Sequence, residues 1–200
     1  MMLEEIELYA REERVPIMMK DGIEYLCNYI KENNIKNILE IGSAIGYSAI
    51  KMALVDSDIK VTTIEKDENR YNVAVDNINK FSLNDRINII LGDALETNIE
   101  GVFDLIFIDA SKGKYLEFFN YALELLSDNG IIIADNVLYK GMVLSDYNGH
   151  KHRTAVRKLR NFLEYIQNLE GYSSRIENIG DGISITYKKE ELIDGTKDSK

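Results

Sequence analysis

The stretch from Ile131 to Asn136 reads Ile-Ile-Ile-Ala-Asp-Asn, a run of branched apolar residues followed by a carboxylate and an amide. The run suits a strand buried on both faces, and burying either polar group unpaired is costly, so Asp135 and Asn136 must hold something. A second run of the same kind, Phe-Asp-Leu-Ile-Phe-Ile, ends at Asp109. If the two strands are neighbours, Asp109, Asp135 and Asn136 converge. Three hard oxygen donors with room left for water and substrate suit Mg2+, which rarely has an all-protein cage. Asp and Asn also cap helices and form turns, so any one of them alone would carry little. Three at adjacent strand ends favour a metal.

Other strand ends carry acids too. Leu-Glu-Ile-Gly-Ser-Ala-Ile-Gly-Tyr-Ser, from Leu39 to Ser48, places Gly42 and Gly46 where a tight turn lets backbone approach a ligand. Its spacing is not Gly-x-Gly-x-x-Gly, so the nicotinamide fingerprint fails. Glu40, just before the loop, repels a pyrophosphate and suits a cation; an ordinary strand-to-helix turn is the competing reading. Glu65 ends the next strand, placed to accept from ribose hydroxyls. Asp93, in Leu-Gly-Asp-Ala, follows along the rim and can accept from the amine of an adenine. Either acid alone could equally be a solvated loop carboxylate.

These residues are positioned by a regular alternation. Strands are expected at 37–41, 60–65, 87–91, 103–108 and 130–134, with helices between them at 47–55, 67–81 (opened by an Asp67 cap) and 114–127. The connection from 92 to 102 has no clear pattern. Near-continuous apolar strands indicate a parallel sheet with helices on both faces. Two helices precede it, at 2–14 (stopped by Pro16) and 21–34. A polar loop (about 137–150), a helix at 152–170 and strands at 172–179 and 182–188 complete the chain, the last two joined at Gly180-Asp181-Gly182, a hairpin signal. The fold expected is α/β, a doubly wound, mostly parallel seven-stranded sheet with an antiparallel C-terminal hairpin. Residues 1–188 form a single domain, its N-terminal helices (1–34) suited to a dimer interface or a substrate cover, and 189–200 a flexible tail.

A length of 200 residues fits one domain with a real core. No apolar run reaches membrane-spanning length, and the acidic N-terminus is unlike a secretory or transit signal. The single cysteine, Cys27, fits a reducing cytoplasm and reads as a small core residue on its helix. A net charge of −10 argues against non-specific nucleic-acid binding by the whole surface. From Lys140 to Arg160, however, Lys140, Lys151, Arg153, Arg157, Lys158 and Arg160 face a single acid, Asp146.

The motifs from Glu40 to Ser48, Glu65, Gly-Asp-Ala, Asp-Ala-Ser-Lys, Ala-Asp-Asn and Gly-Asp-Gly-Ile together resemble the class I S-adenosylmethionine-dependent methyltransferases. Within them the chain resembles the cation-dependent O-methyltransferases of the catechol and caffeoyl-CoA kind, from about Val15 to Tyr187. Ala44 replaces the middle glycine of the general loop, as is common in this subfamily. The resemblance implies that Met18, Glu40, Gly42, Ser48, Glu65, Asp93, Ala94 and Asp109 bind S-adenosylmethionine. It implies that Asp109, Asp135 and Asn136 hold Mg2+ or another divalent cation, and that Lys112 is catalytic. In the implied chemistry two vicinal oxygens of the acceptor chelate the metal and Lys112 takes the hydroxyl proton. The oxyanion then attacks the sulfonium methyl. Lys112 on its own would read as an exposed lysine opening a helix.

Two acceptor classes compete. Val-Pro-Ile-Met (15–18), Asp-Gly-Ile-Glu-Tyr-Leu (21–26), the stretch from Ile41 to Ala53, Gly-Asp-Ala-Leu-Glu-Thr (92–97) and Asp-Asn-Val-Leu-Tyr-Lys-Gly (135–141) resemble the bacterial tRNA 5-hydroxyuridine methyltransferases. That likeness implies a tRNA partner, whose 5-hydroxyuracil offers O4 and the 5-hydroxyl on adjacent carbons as a catechol offers two oxygens. Lys140, Lys151, Arg153 and Arg157 would then meet phosphates beside the site, although they also fit the solvated face of an amphipathic helix. The other class is a small catechol-like or acyl-CoA phenol, which the acidic overall charge suits; no aromatic stacking platform is visible. A non-catalytic nucleoside-binding protein is a third reading, disfavoured by the intact Asp109, Lys112, Asp135 and Asn136. By family analogy a homodimer is expected.

Overall fold

The computed structural model describes residues 2–147 and 149–189. Its centre is a seven-stranded sheet in the order β3-β2-β1-β4-β5-β7-β6. The strands are β1 (Asn37–Ile41), β2 (Lys60–Glu65), β3 (Ile87–Leu91), β4 (Phe103–Ile108), β5 (Leu126–Ala134), β6 (Tyr172–Glu177) and β7 (Ile183–Lys188). The first five pair in parallel, and β7 runs antiparallel to both β5 and β6. The doubly wound sheet with a C-terminal hairpin is therefore as expected. Because chain order reverses between β1 and β4, their carboxyl ends open a crevice at which such sheets bind ligands.

Strand residues alternate between two cores. Ile38, Leu105, Phe107 and Ile133 pack with α1 (Met2–Glu12), α2 (Lys20–Glu32), α3 (Tyr47–Ala53) and α4 (Glu68–Lys80). Leu39, Ile106, Ile108 and Ile132 pack with α5 (Tyr115–Leu125) and α6 (Arg153–Asn168). Burial on both faces is why these strands read as unbroken apolar runs. Phe162 of α6 meets Tyr115 and Phe119 of α5 edge-to-face, at 5.6 and 5.7 Å, locking the two helices together. Cys27 packs against the first core, its thiol directed at the Lys51 carbonyl and its pKa pushed up by burial.

Several boundaries differ from the sequence expectation by a few residues, and three have a visible cause or consequence. α1 ends at Glu12, four residues before Pro16, where Arg14 turns the chain with a φ of +54°. α5 stops at Leu125 and β5 begins at once, because Leu126 takes extended backbone and pairs with Phe103 ahead of a register shift. Before α5, Lys112–Lys114 form a 3₁₀ turn, which takes Lys114 from the start of the expected helix. The loop after β5 is less polar than expected: Val137, Leu138 and Val143 are buried in the second core. Apart from Lys189, the expected tail lies outside the described residues, among which no helix is long and apolar enough to cross a membrane.

Candidate active site

The loop between β1 and α3 can be tight only because Gly42 lacks a side chain. Its φ is +101°, and a Cβ there would stand 2.3 Å from the Asp109 carbonyl oxygen. The loop thus presses against the end of β4, bringing the β1, β2, β3 and β4 carboxyl ends around one cavity of about 330 Å3. Pockets of about 300–1,000 Å3 suit small-molecule cofactors. Gly42, Glu65, Asp93, Ala94, Asp109, Lys112 and Asn136 border it.

Glu65 anchors the loop: one carboxylate oxygen accepts from Ala44 N–H at 2.8 Å, the other from Asp67 N–H at 2.9 Å. Asp67 in turn caps α4 by accepting from Arg70 N–H, as its position in the sequence suggested. Asp93 accepts from Leu95 N–H and from the Lys114 ammonium, both at 3.1 Å, and these two bonds hold its carboxyl below the usual range.

Glu40 does not border the cavity. It is fully buried, accepting from Ser48 Oγ and, at 2.5 Å, from Thr63 Oγ1. Burial pushes its pKa up to about 7 against those two hydrogen bonds, with Asp109 and Glu65 adding to the rise. Ser48 is taken up by this bond behind the loop. Met18 borders a neighbouring hollow with Glu7 and Tyr47 rather than the main cavity.

At the other end, β4 and β5 are neighbours, and they bring Asp109, Asp135 and Asn136 together. Asn136 Nδ2 donates to Asp109 Oδ1 at 3.2 Å and to Asp135 Oδ2 at 2.9 Å. Its φ of +59° is a conformation that Asn tolerates better than most residues. Tyr115 steadies the strand end by donating to the Asp135 carbonyl at 2.8 Å. Burial raises the pKa of both acids, that of Asp135 to about 7 with Asp109 adding to it. Two buried carboxylates held together are short of positive charge, and the Lys112 cation offsets only part of this. Such a pair fits a hard divalent cation, and rotating the Asn136 amide exchanges Nδ2 for Oδ1 as a third donor. No group of three His, Cys, Asp or Glu among the described residues is arranged to hold a metal, so the candidate set is two carboxylates and an amide. Lys112 Nζ lies 5.4 Å from the Tyr139 ring centroid, and its residue borders the cavity beside Asp109 and Asn136.

Lys140, Lys151, Arg153 and Arg157 lie outside the cavity, all exposed. The other two cations of that stretch are structural: Lys158 donates to the Gly113 carbonyl, and Arg160 to the Val143, Met142 and Ser145 carbonyls. Sequence reasoning missed Pro16, Ile17, Lys66, Arg70 and Phe118, which also border the cavity. Lys66 and Arg70 were within reach, being one and five residues past Glu65 at a strand end. Pro16 and Ile17 come from the α1–α2 link, whose placement no local pattern signals. Tyr139 and His152 were missed as well. Tyr139 Oη and His152 Nδ1 are 2.9 Å apart, making an aromatic pair beside Lys112.

Comparison with known proteins agrees with this architecture. A Staphylococcus aureus structure with the provisional name caffeoyl-CoA O-methyltransferase is 37% identical, with a TM-score of 0.88 over 94% of this chain and 92% of that one. The O-methyltransferase of Bacillus cereus, solved in complex with SAH, is 31% identical, with a TM-score of 0.82 over 94% and 90%. The caffeoyl-CoA O-methyltransferase of Populus kitakamiensis is 31% identical over 173 residues, 80% of this chain and 73% of the relative. Residues 1–189 match the family described as O-methyltransferase, and the chain belongs to that family.

Proposed function

We propose that the protein transfers a methyl group from S-adenosylmethionine to a hydroxyl of 5-hydroxyuridine at the tRNA wobble position, using a divalent cation. The observation that carries methyl transfer is the meeting of Lys112, Asp109 and Asn136 at one end of a cavity whose other end offers Glu65, Asp93 and Ala94. The SAH bound by the similar Bacillus cereus enzyme supports the choice of cofactor. When bound, the cofactor supplies an electrophilic methyl group, and a cation held by Asp109, Asp135 and Asn136 supplies the Lewis acidity that favours an ionised hydroxyl.

The residues of the chain do the rest. Glu65 retains free lone pairs for ribose hydroxyls while its bonds to Ala44 and Asp67 fix its direction. Asp93, kept ionised, accepts from the adenine amine. Lys112 Nζ, which must be the neutral amine for this step, would take the proton from the acceptor hydroxyl and leave an oxyanion aligned with the methyl group that the bound cofactor would supply. Neutralising two opposite charges needs little more than alignment, so holding the partners at near-attack distance is the main task.

The tRNA reading rests on Lys140, Lys151, Arg153 and Arg157. They are exposed, their side chains make no hydrogen bond or ion pair among the described residues, and they follow Asp135 and Asn136 in a chain of net charge −10. Exposed cations without a partner among the described residues of an acidic protein suit phosphate contacts. The names of its relatives favour a second reading, a caffeoyl-CoA-like or catechol-like phenol. The assay is transfer of labelled methyl, with Mg2+ or with EDTA, to tRNA carrying wobble 5-hydroxyuridine, to caffeoyl-CoA and to a catechol. Metal-dependent labelling with far higher kcat/KM on the tRNA is the expected result. Labelling of the phenols alone would establish the second reading, and labelling unaffected by EDTA would remove the cation.

A further inference from the structure

Lys112 sits on a 3₁₀ turn of three residues, and such turns have weak hydrogen-bond geometry of their own. One internal bond, from Lys114 N–H to the Ser111 carbonyl at 2.9 Å, closes it. A group that takes a proton needs firmer placement. Two lysines without a part in the reaction described above provide it from different elements. Lys158 on α6 donates to the Gly113 carbonyl at 2.6 Å. Lys114 crosses to the end of β3 and holds Asp93 Oδ2 at 3.1 Å, while Leu95 N–H holds the other oxygen. Asp93 borders the same cavity as Lys112. The Asp93 side chain is only 21% exposed and that of Lys114 42%, so the pair is less screened than one in open water.

We propose that Lys114 is a positioning residue: its ion pair with Asp93 ties the turn carrying Lys112 to the adenosine end of the cavity, so that occupation of that end fixes the catalytic lysine. The inference rests on the cofactor and proton-acceptor roles proposed above. Asp93 cannot leave its place without releasing or dragging Lys114, and a ligand amine bonded to Asp93 pins both. Lys114 is two residues from Lys112, and a 3₁₀ turn rises about 2 Å per residue, so little slack separates them. Misplacing a reacting group by roughly 1 Å can cost about 100-fold in rate.

The test uses the full chain with Lys114→Met, Lys114→Arg, Asp93→Asn and the Asp93→Asn/Lys114→Met double variant. S-adenosylhomocysteine affinity is measured by calorimetry, thermal unfolding is followed, and kcat is taken with the acceptor that the wild type labels. Lys114→Met is expected to lower kcat at saturating substrates by about tenfold or more. It should raise the S-adenosylhomocysteine Kd by only about threefold, the range of a partly exposed ion pair. Lys114→Arg should restore kcat to within about threefold, since a guanidinium reaches the same carboxylate. The kcat losses of the two single variants should not add in the double. An unchanged kcat in Lys114→Met, with or without a fall in unfolding temperature, overturns the proposal. So does a loss that Arg fails to rescue, or one that adds fully to that of Asp93→Asn. A wild type that binds no S-adenosylhomocysteine overturns the cofactor reading instead, and the inference falls with it.

Discussion

Replacing Glu40 by Gln tests whether the acid under the glycine loop is as costly as its surroundings imply. Glu40 is fully buried, and its pKa rises from an ordinary 4.5 to about 7, with burial as the main cause. In the unfolded chain the same group ionises near its ordinary value. Between those two pH values the folded protein therefore keeps a proton that the unfolded chain has lost. Stability from this group is greatest below the unfolded pKa, falls as pH rises, and levels off above about pH 7. At about 1.4 kcal/mol per pH unit the gap amounts to about 3 kcal/mol. Gln keeps the volume and can accept from one of Ser48 and Thr63 while donating to the other, so a contact to each hydroxyl survives.

Urea unfolding of both proteins across this window should show the wild type losing about 3 kcal/mol relative to Glu40→Gln, which becomes the more stable protein on the alkaline side. Using the difference between the two removes the contribution of Asp135, whose pKa is also raised. Parallel pH profiles would refute the argument, because they would mean that Glu40 ionises as freely in the fold as in the open chain. Under the proposed function the variant has a second consequence. A cationic ligand near Glu40 favours its ionised form, so wild-type affinity for S-adenosylmethionine should rise with pH through about pH 7, and Glu40→Gln should lose that rise.

Lys112→Met should lower kcat by about 10²–10⁴-fold, the usual worth of a positioned base, in single-turnover methyl transfer; a loss below tenfold would assign the proton to another group. Gly42→Ala combines a strained positive φ with a Cβ 2.3 Å from the Asp109 carbonyl, and should cost more than about 2 kcal/mol in urea unfolding while abolishing S-adenosylhomocysteine binding. A near-wild-type Gly42→Ala would show that the loop is not pressed against β4. Arg153→Glu/Arg157→Glu should reduce kcat/KM on tRNA by about tenfold or more and flatten its dependence on salt; an unaltered salt slope would place tRNA on a different face.

The centre of the sheet was legible because β3, β4 and β5 are apolar runs with an acid one or two residues past their ends, a pattern that buried parallel strands need and local sequence displays. The start of β5 was not legible. Leu125 and Leu126 continue a helical spacing, and only the long-range pairing of Leu126 with Phe103 turns the second of them into strand. In the candidate site the strand-end acids stood out, but what each one touches did not. Glu40 bonds Thr63 because β1 and β2 align those two residues in register, and nothing near Glu40 in the sequence specifies that alignment. Pro16 and Ile17 reach the cavity only through the packing of α1 and α2. Lys114 stands at the expected start of a helix, and nothing near it in the sequence links its ammonium to Asp93.

The buried acids have one electrostatic centre. Asp109 raises the pKa of Glu40 behind the loop and of Asp135 on the β5 side, so both buried acids share its field. A sheet stabilised chiefly by apolar burial gains nothing from three such carboxylates, and replacing them with apolar groups of similar shape would relieve the strain. Their presence makes sense if the working protein carries positive charge among them. A sulfonium amino acid and a divalent cation are the two charges that the proposed reaction requires. Either ligand would then stabilise the folded state by binding it alone, and more strongly as pH rises through the range in which the acids give up their protons.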